Sequence, residues 1–132
     1  MESNQYLEQV RDYLLELGYD IKLVNETETL LIIDREEDGI KNMVLDVADP
    51  ILVLEQTIFV LQGDDANIIK SLLQKNMDMV HGAFALTEDG YVVWRDTLEL
   101  ENLDINELEG SLKSLSLLLS EYFEEILAFA KA

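Results

Sequence analysis

Asp34, Glu36, Asp38 and Gly39 fall on the first, third, fifth and sixth positions of a calcium-binding loop, where such a loop needs oxygen ligands and a sharp turn. The match ends there. Leu45 stands where a bidentate Glu is required, and the flanking residues read as strands rather than helices. An ordinary solvated turn is expected, with no metal. His81 is the only histidine, and a lone His just before a strand is more often structural than catalytic. With 28 acids in the chain, some carboxylate pairs lie close by chance. Such pairs, the working groups of glycosidases, therefore carry no information here. There is no Cys, hence no thiol chemistry and no disulfide framework. No Gly-rich phosphate loop, HExxH or nucleophile elbow is present. The sequence thus predicts no catalytic residue, no cofactor and no metal site, and a small carboxylate hydrolase is the enzymatic rival to the readings below.

The least ambiguous local structure is the stretch Gly82 to Leu98. Two apolar runs flank Thr87-Glu88-Asp89-Gly90, and Asp-Gly between such runs is a hairpin signal, because glycine accepts the positive φ of a tight turn. With an even-length loop, Ala83 and Ala85 share a face with Val92 and Trp94, while Phe84 and Leu86 share the other with Tyr91 and Val93. Small residues beside a Trp imply close approach on that side, either by a helix of the same chain or by another chain. After the hairpin, Asp104 and Glu107 form a capping-box-like pair. Ile105, Leu108, Leu112, Leu115, Leu119, Tyr122, Ile126 and Phe129 then recur at spacings of three and four. They predict one helix, about 40 Å long at 1.5 Å per residue. Leu117, Leu118, Phe123 and Leu127 widen its stripe, so it is expected to lie across a sheet.

Upstream, residues 3 to 17 read as an amphipathic helix, capped by Ser3 or Asn4 and ended at Gly18. Ile21 to Val24, Leu30 to Asp34, residues 40 to 48 and residues 51 to 61 read as strands. Asp49-Pro50 separates the last two. In the last strand Leu52, Leu54, Ile58 and Val60 are expected on one face, and Ile51, Val53 and Phe59 on the other. Asp64 or Asp65 begins a further helix with the stripe Ile68, Ile69, Leu72, Leu73 and Met77. The predicted class is α+β, a mostly antiparallel sheet with helices packed on it, in the order helix, three or four strands, helix, two strands, long helix. Residues 1–132 are expected to form one domain.

The formal charge is -19, from 28 acids against 9 bases. Nucleic acids and anionic membranes are bound through Lys and Arg, so neither is an expected partner. A basic or unfolded protein segment is. The N-terminus has no basic start and no apolar signal segment, so the cytoplasm is expected.

Several stretches resemble a known family. They are Asp46-Val47-Ala48-Asp49-Pro50-Ile51-Leu52-Val53-Leu54-Glu55-Gln56, Leu73-Gln74-Lys75-Asn76, Gly82-Ala83-Phe84-Ala85-Leu86 and Arg95-Asp96-Thr97-Leu98. Together with the order of elements, they resemble the YbjN-type, or Tir-chaperone-like, family and the type III secretion chaperone fold. The resemblance covers essentially the whole chain. It implies a small, acidic, cytosolic homodimer that holds an unfolded segment of a partner along apolar patches, without nucleotide. It supplies no catalytic residues.

The function expected is a non-enzymatic protein-binding module of chaperone or adaptor type, acting by strand addition or groove binding. The alternative is a regulatory protein of a signalling or stress pathway with no unfolded client. Expected partner contacts are Ile51, Val53, Phe59, Val92 and Trp94. Expected dimer contacts are Ile69, Leu72, Leu73, Met77, Ala83, Ala85 and Trp94, because one sheet in a chain of this length has limited room to bury them all.

Overall fold

The structure, a computed structural model, describes residues 2–132. Its elements run α1 (Ser3–Leu17), β1 (Asp20–Asn25), β2 (Leu30–Arg35), a 3-10 turn (Glu36–Asp38), β3 (Ile40–Ala48), β4 (Ile51–Val60), α2 (Ala66–Asn76), β5 (Ala83–Leu86), β6 (Tyr91–Glu99), α3 (Ile105–Glu121) and α4 (Phe123–Lys131). The strands form a six-stranded sheet in the order β1-β2-β3-β4-β6-β5, every neighbouring pair antiparallel. The α+β class read from the sequence is the class observed.

The helix ends follow capping chemistry. Asp65 accepts hydrogen bonds from the backbone N–H groups of Asn67 and Ile68 at 3.0 and 3.2 Å, and Asp104 accepts one from Glu107 at 2.8 Å. Gly18 closes α1 in the left-handed conformation. At the start of α1 the expectation shifts by a residue: Glu2, not Ser3 or Asn4, is the cap, in a reciprocal capping box with Gln5.

One sheet face carries the core. Leu31 and Ile33 of β2, Met43, Leu45 and Val47 of β3, Leu52 and Leu54 of β4 and Trp94 of β6 are buried with Val10, Leu14, Leu108, Leu112 and Leu115 of α1 and α3. A second cluster joins Phe59, Val92 and Phe84 to Ile68 and Leu72 of α2 and Ile126 of α4. The opposite face presents Leu30, Ile32, Val44, Ile51 and Val53, all half-buried and none a member of either cluster.

Three expectations are corrected. The β5–β6 register pairs Phe84 with Trp94 and Leu86 with Val92. Five residues, an odd number, therefore separate the paired ends, with Thr87 N–H donating to the Tyr91 carbonyl at 2.9 Å. That odd count moves Ala83 and Ala85 to the face opposite Trp94. In β4 the pairing slips between Thr57 and Phe59. A bulge of this kind reverses the alternation, so Phe59 joins Leu52 and Leu54 on the core face and Val60 turns outward. The C-terminal helix is also not continuous. It breaks at Tyr122, at φ -112° and ψ 22°, and α4 then folds onto β4 and α2. Leu115 is fully buried, whereas Leu119 is only partly so.

Candidate protein-binding surfaces

Most polar side chains of the calcium-like turn are held by neighbouring groups. In the calcium-like turn, Asp34 Oδ1 accepts from the Asn42 backbone at 2.7 Å, and its other oxygen faces Lys22 at 3.5 Å. Arg35 Nε lies 3.2 Å from Glu37 and 3.3 Å from Asp38, where a bound cation would compete with it. The Glu37 carboxyl is held below the usual carboxylate range, by a hydrogen bond within its own residue first and by Arg35 after that. Among the described residues, no group of three or more His, Asp or Glu is gathered closely enough to hold a metal ion. His81 is fixed by its backbone: its N–H meets Ser114 Oγ at 3.2 Å, and that hydroxyl donates back to the His81 carbonyl at 2.9 Å.

Three apolar surfaces remain. The first is the open sheet face. Ile32 is paired with Val44, Val53 with Asp46 and Thr97, and Ile51 with Ala48 and Glu99. Glu55 and Arg95 cross it as an ion pair at 3.1 Å. The strands place these side chains outward because alternate residues alternate faces. Of the five partner contacts expected from the sequence, Ile51 and Val53 lie here. Phe59, Val92 and Trp94 do not: the bulge turns Phe59 inward, β6 pairs Val92 with Phe59 and Trp94 with the buried Gln56, and Trp94 is 0% exposed. Leu30, Ile32 and Val44 complete the face. Their alternation with Leu31, Ile33 and Leu45 was the signal that could have identified them.

The second surface lies along α2 and β5. Leu73 is 62% and Met77 88% exposed. They stand beside an apolar recess lined by Ile69, Leu72, Leu86 and Val92. Of the dimer contacts expected from the sequence, Leu73, Met77 and Ile69 lie along this part of α2, while Leu72 is buried in the second cluster. Ala83 and Ala85 lie on the outer face of the same edge strand, and Trp94 is separated from all of them in the core. The edge itself is occupied at its centre. The Asn76 side chain accepts from Phe84 N–H at 2.7 Å and donates to the Phe84 carbonyl at 3.2 Å.

Behind this surface is a buried cation. Lys75 Nζ lies 2.8 Å from Glu125 and donates to Ser71 Oγ at 2.7 Å. It sits over the rings of Tyr122 and Phe129 at 4.7 and 5.5 Å. The Glu125 carboxyl is held low, by the hydrogen bond from Lys75 above all. This node ties α4 to α2. The third surface is the elbow between α3 and α4, where Leu117 and Phe123 are exposed.

The family model CesT_Tir_1 matches residues 3–132. Among solved structures the chain is similar to YbjN from E. coli, at 13% identity and a TM-score of 0.67, covering 90% of this chain and 92% of that one. It is also similar to the HopA1-SchA chaperone–effector complex, at 13% identity and a TM-score of 0.64, covering 98% and 97%. A third similarity is to the Yersinia pestis type III secretion chaperone SycH, solved with a stable fragment of YscM2, at 16% identity and a TM-score of 0.54, covering 94% and 98%. No curated protein matches the sequence. No helix among the described residues is long and apolar enough to cross a membrane. The chain belongs to the CesT_Tir_1 family, and its antiparallel sheet with helices on one face is the fold of YbjN and the type III secretion chaperones.

Proposed function

We propose that this protein is a non-enzymatic, cytoplasmic chaperone- or adaptor-type module that holds an extended or partly unfolded segment of a partner protein, and that it works as a homodimer. The observation that carries the reading is the open sheet face: Leu30, Ile32, Val44, Ile51 and Val53 are only half-buried and belong to neither of the clusters that the helices pack on. Apolar residues gathered on one face of a highly charged chain mark a contact surface. The acids among them, Asp46 between Leu30 and Val53, Glu55 beside Val44 and Glu99 beside Ile51, suit a segment that carries Lys or Arg among its apolar residues. Because Asn76 occupies the β5 edge, an extended segment is taken across the face or at the β1 edge rather than added beside β5. Solved chaperones of this fold, one caught with an effector and one with a stable fragment of YscM2, support the same reading.

For the dimer, the support is the α2–β5 surface. Leu73 and Met77 lie open to solvent, and a two-fold copy would cover both by presenting the same patch. Two acidic chains repel, so association through this patch should strengthen with salt.

The regulatory reading has one observation in its favour, the similarity to YbjN, described as a candidate transcription regulator. The two separate by experiment. Partners captured from native cytosol are cross-linked and the cross-linked segment mapped, with wild type beside Val53→Glu and Ile32→Glu. Cross-links from a segment that is disordered when free, lost in both variants, support the holding function. Capture of a folded partner that survives both substitutions overturns it in favour of regulation. Sedimentation equilibrium of Leu73→Glu/Met77→Glu tests the dimer. Wild type should exceed the 15.1 kDa of one chain and the variant should not. A wild type at that mass in low and moderate salt removes the dimer.

A further inference from the structure

Apolar side chains stand uncovered on either side of the break at Tyr122. Phe123, the first residue of α4, is 62% exposed, and Leu117, at the end of α3, is 70% exposed. They border a trough made of two recesses that share Gly39, Leu119 and Phe123. One recess, of about 640 Å³, runs past Leu117 to the turn Glu36–Asp38. The other, of about 300 Å³, is lined by Ile58, Ile126, Leu127 and Lys41. Volumes of this size accommodate several side chains. Gly39 allows the floor to form: a Cβ there would stand 3.0 Å from Leu119 Cδ1.

The rim is acidic. Glu37 and Asp38 share one cation, Arg35, and Glu36 has no ion-pair partner among the described residues, so three acids stand against one base. Glu121 and Glu124 are exposed close to Phe123 in the chain, outside the lining of both recesses, and have no ion-pair partner among the described residues. Only Lys41 among the lining residues opposes this charge.

We propose that this elbow trough is a docking site for a cationic amphipathic segment of a different protein. Its apolar side chains would lie on either side of Phe123 and its Lys or Arg against the acidic rim. A second copy of the chain is a poorer fit, because it brings one acidic rim against another on chains that each carry -19. An anionic membrane is repelled for the same reason. The site is separate from the open sheet face and does not depend on the reading given to that face.

The test uses the full chain and a fluorescein-labelled peptide of about 18 residues, long enough to form a helix, with Leu at spacings of three and four and Lys elsewhere. Fluorescence anisotropy should show saturable binding that weakens with salt. Affinity should fall about tenfold in Phe123→Ser and in Glu36→Lys, and stay unchanged in Val53→Glu and Leu73→Glu. Phe123 and Glu36 are exposed, so both variants should keep the wild-type circular dichroism spectrum. A peptide with Glu in place of Lys should not bind. Unchanged affinity in both Phe123→Ser and Glu36→Lys overturns the proposal, as does equal binding of the Glu peptide. So does the absence of saturation at about 1 mM. Loss of binding in Val53→Glu alone moves the peptide to the sheet face, and a monomer produced by Phe123→Ser assigns the trough to a second copy. Either result also overturns the site proposed here.

Discussion

Asn76 does for Phe84 what a neighbouring strand would do. Its side-chain amide takes both the N–H and the carbonyl of Phe84, at 2.7 and 3.2 Å, from the last turn of α2. The centre of an exposed strand edge, otherwise a template for pairing with other chains, is thereby closed. Asn76→Ala reopens it. Two backbone groups lose their partners, so stability should fall by about 1–3 kcal/mol in urea melts. Concentration-dependent light scattering should rise. A variant as stable and as soluble as wild type would mean that water replaces the amide at no cost.

Gly82 and Trp94 set a second constraint. Gly82 has φ +78°, and a Cβ there would fall 2.6 Å from three atoms of the buried indole. Both the backbone conformation and the contact exclude a side chain. Gly82→Ala should therefore cost about 2–4 kcal/mol, combining a left-handed non-glycine residue with an overpacked core. Equilibrium denaturation followed by Trp94 fluorescence measures it. A loss below about 0.5 kcal/mol would show that the indole moves aside freely.

Leu115 and Leu119 share the stripe of α3 but not its burial. Leu115 is 0% exposed, and Leu115→Ala should cost about 2–5 kcal/mol. Leu119 borders the open trough and should cost clearly less. Equal losses in denaturant melts would place both in one sealed core and contradict an open elbow.

The Lys75–Glu125 pair makes part of the stability depend on pH. The Glu125 carboxyl is held below its ordinary value of 4.5, first by the hydrogen bond from Lys75 and then by Ser71, against a partial desolvation. A carboxyl whose pKa is lower folded than unfolded contributes stability that is complete above the unfolded value. That contribution fades as pH falls through the folded one. The melting temperature of wild type should therefore exceed that of Glu125→Gln at neutral pH, and the gap should close as pH drops below 4.5. A gap that persists in acid would assign the effect to packing of α4 instead of charge.

Calcium offers a direct check on the turn after β2. Arg35, Lys22 and the Asn42 backbone already hold Asp34, Glu37 and Asp38. Adding about 1 mM calcium, the weak end of protein calcium sites, should leave the melting temperature unchanged. A rise of several degrees, abolished by Asp34→Asn, would show that the ion displaces Arg35.

Alternation, capping residues and turn signals are local, and they determined the class, the element order and most boundaries of this chain. Asp65, Asp104 and Gly18 act where their chemistry places them. The stripe of α2 was legible in the same way, including Leu73 and Met77, whose surplus over what one sheet can cover follows from composition alone. What tertiary structure decided is phase. The bulge at Thr57 and the odd loop before Tyr91 each shift the pairing by one residue, and a shift of one reverses every side chain beyond it. That is why Phe59 lies in the core with its partner Val92, while Ala83 and Ala85 lie on the face opposite Trp94. The break at Tyr122 is of the same kind. No Pro or Gly marks it, and the apolar spacing runs straight through. The helix bends there because Ile126 and Phe129 pack with Phe59 in the second cluster, a contact between residues far apart in the chain.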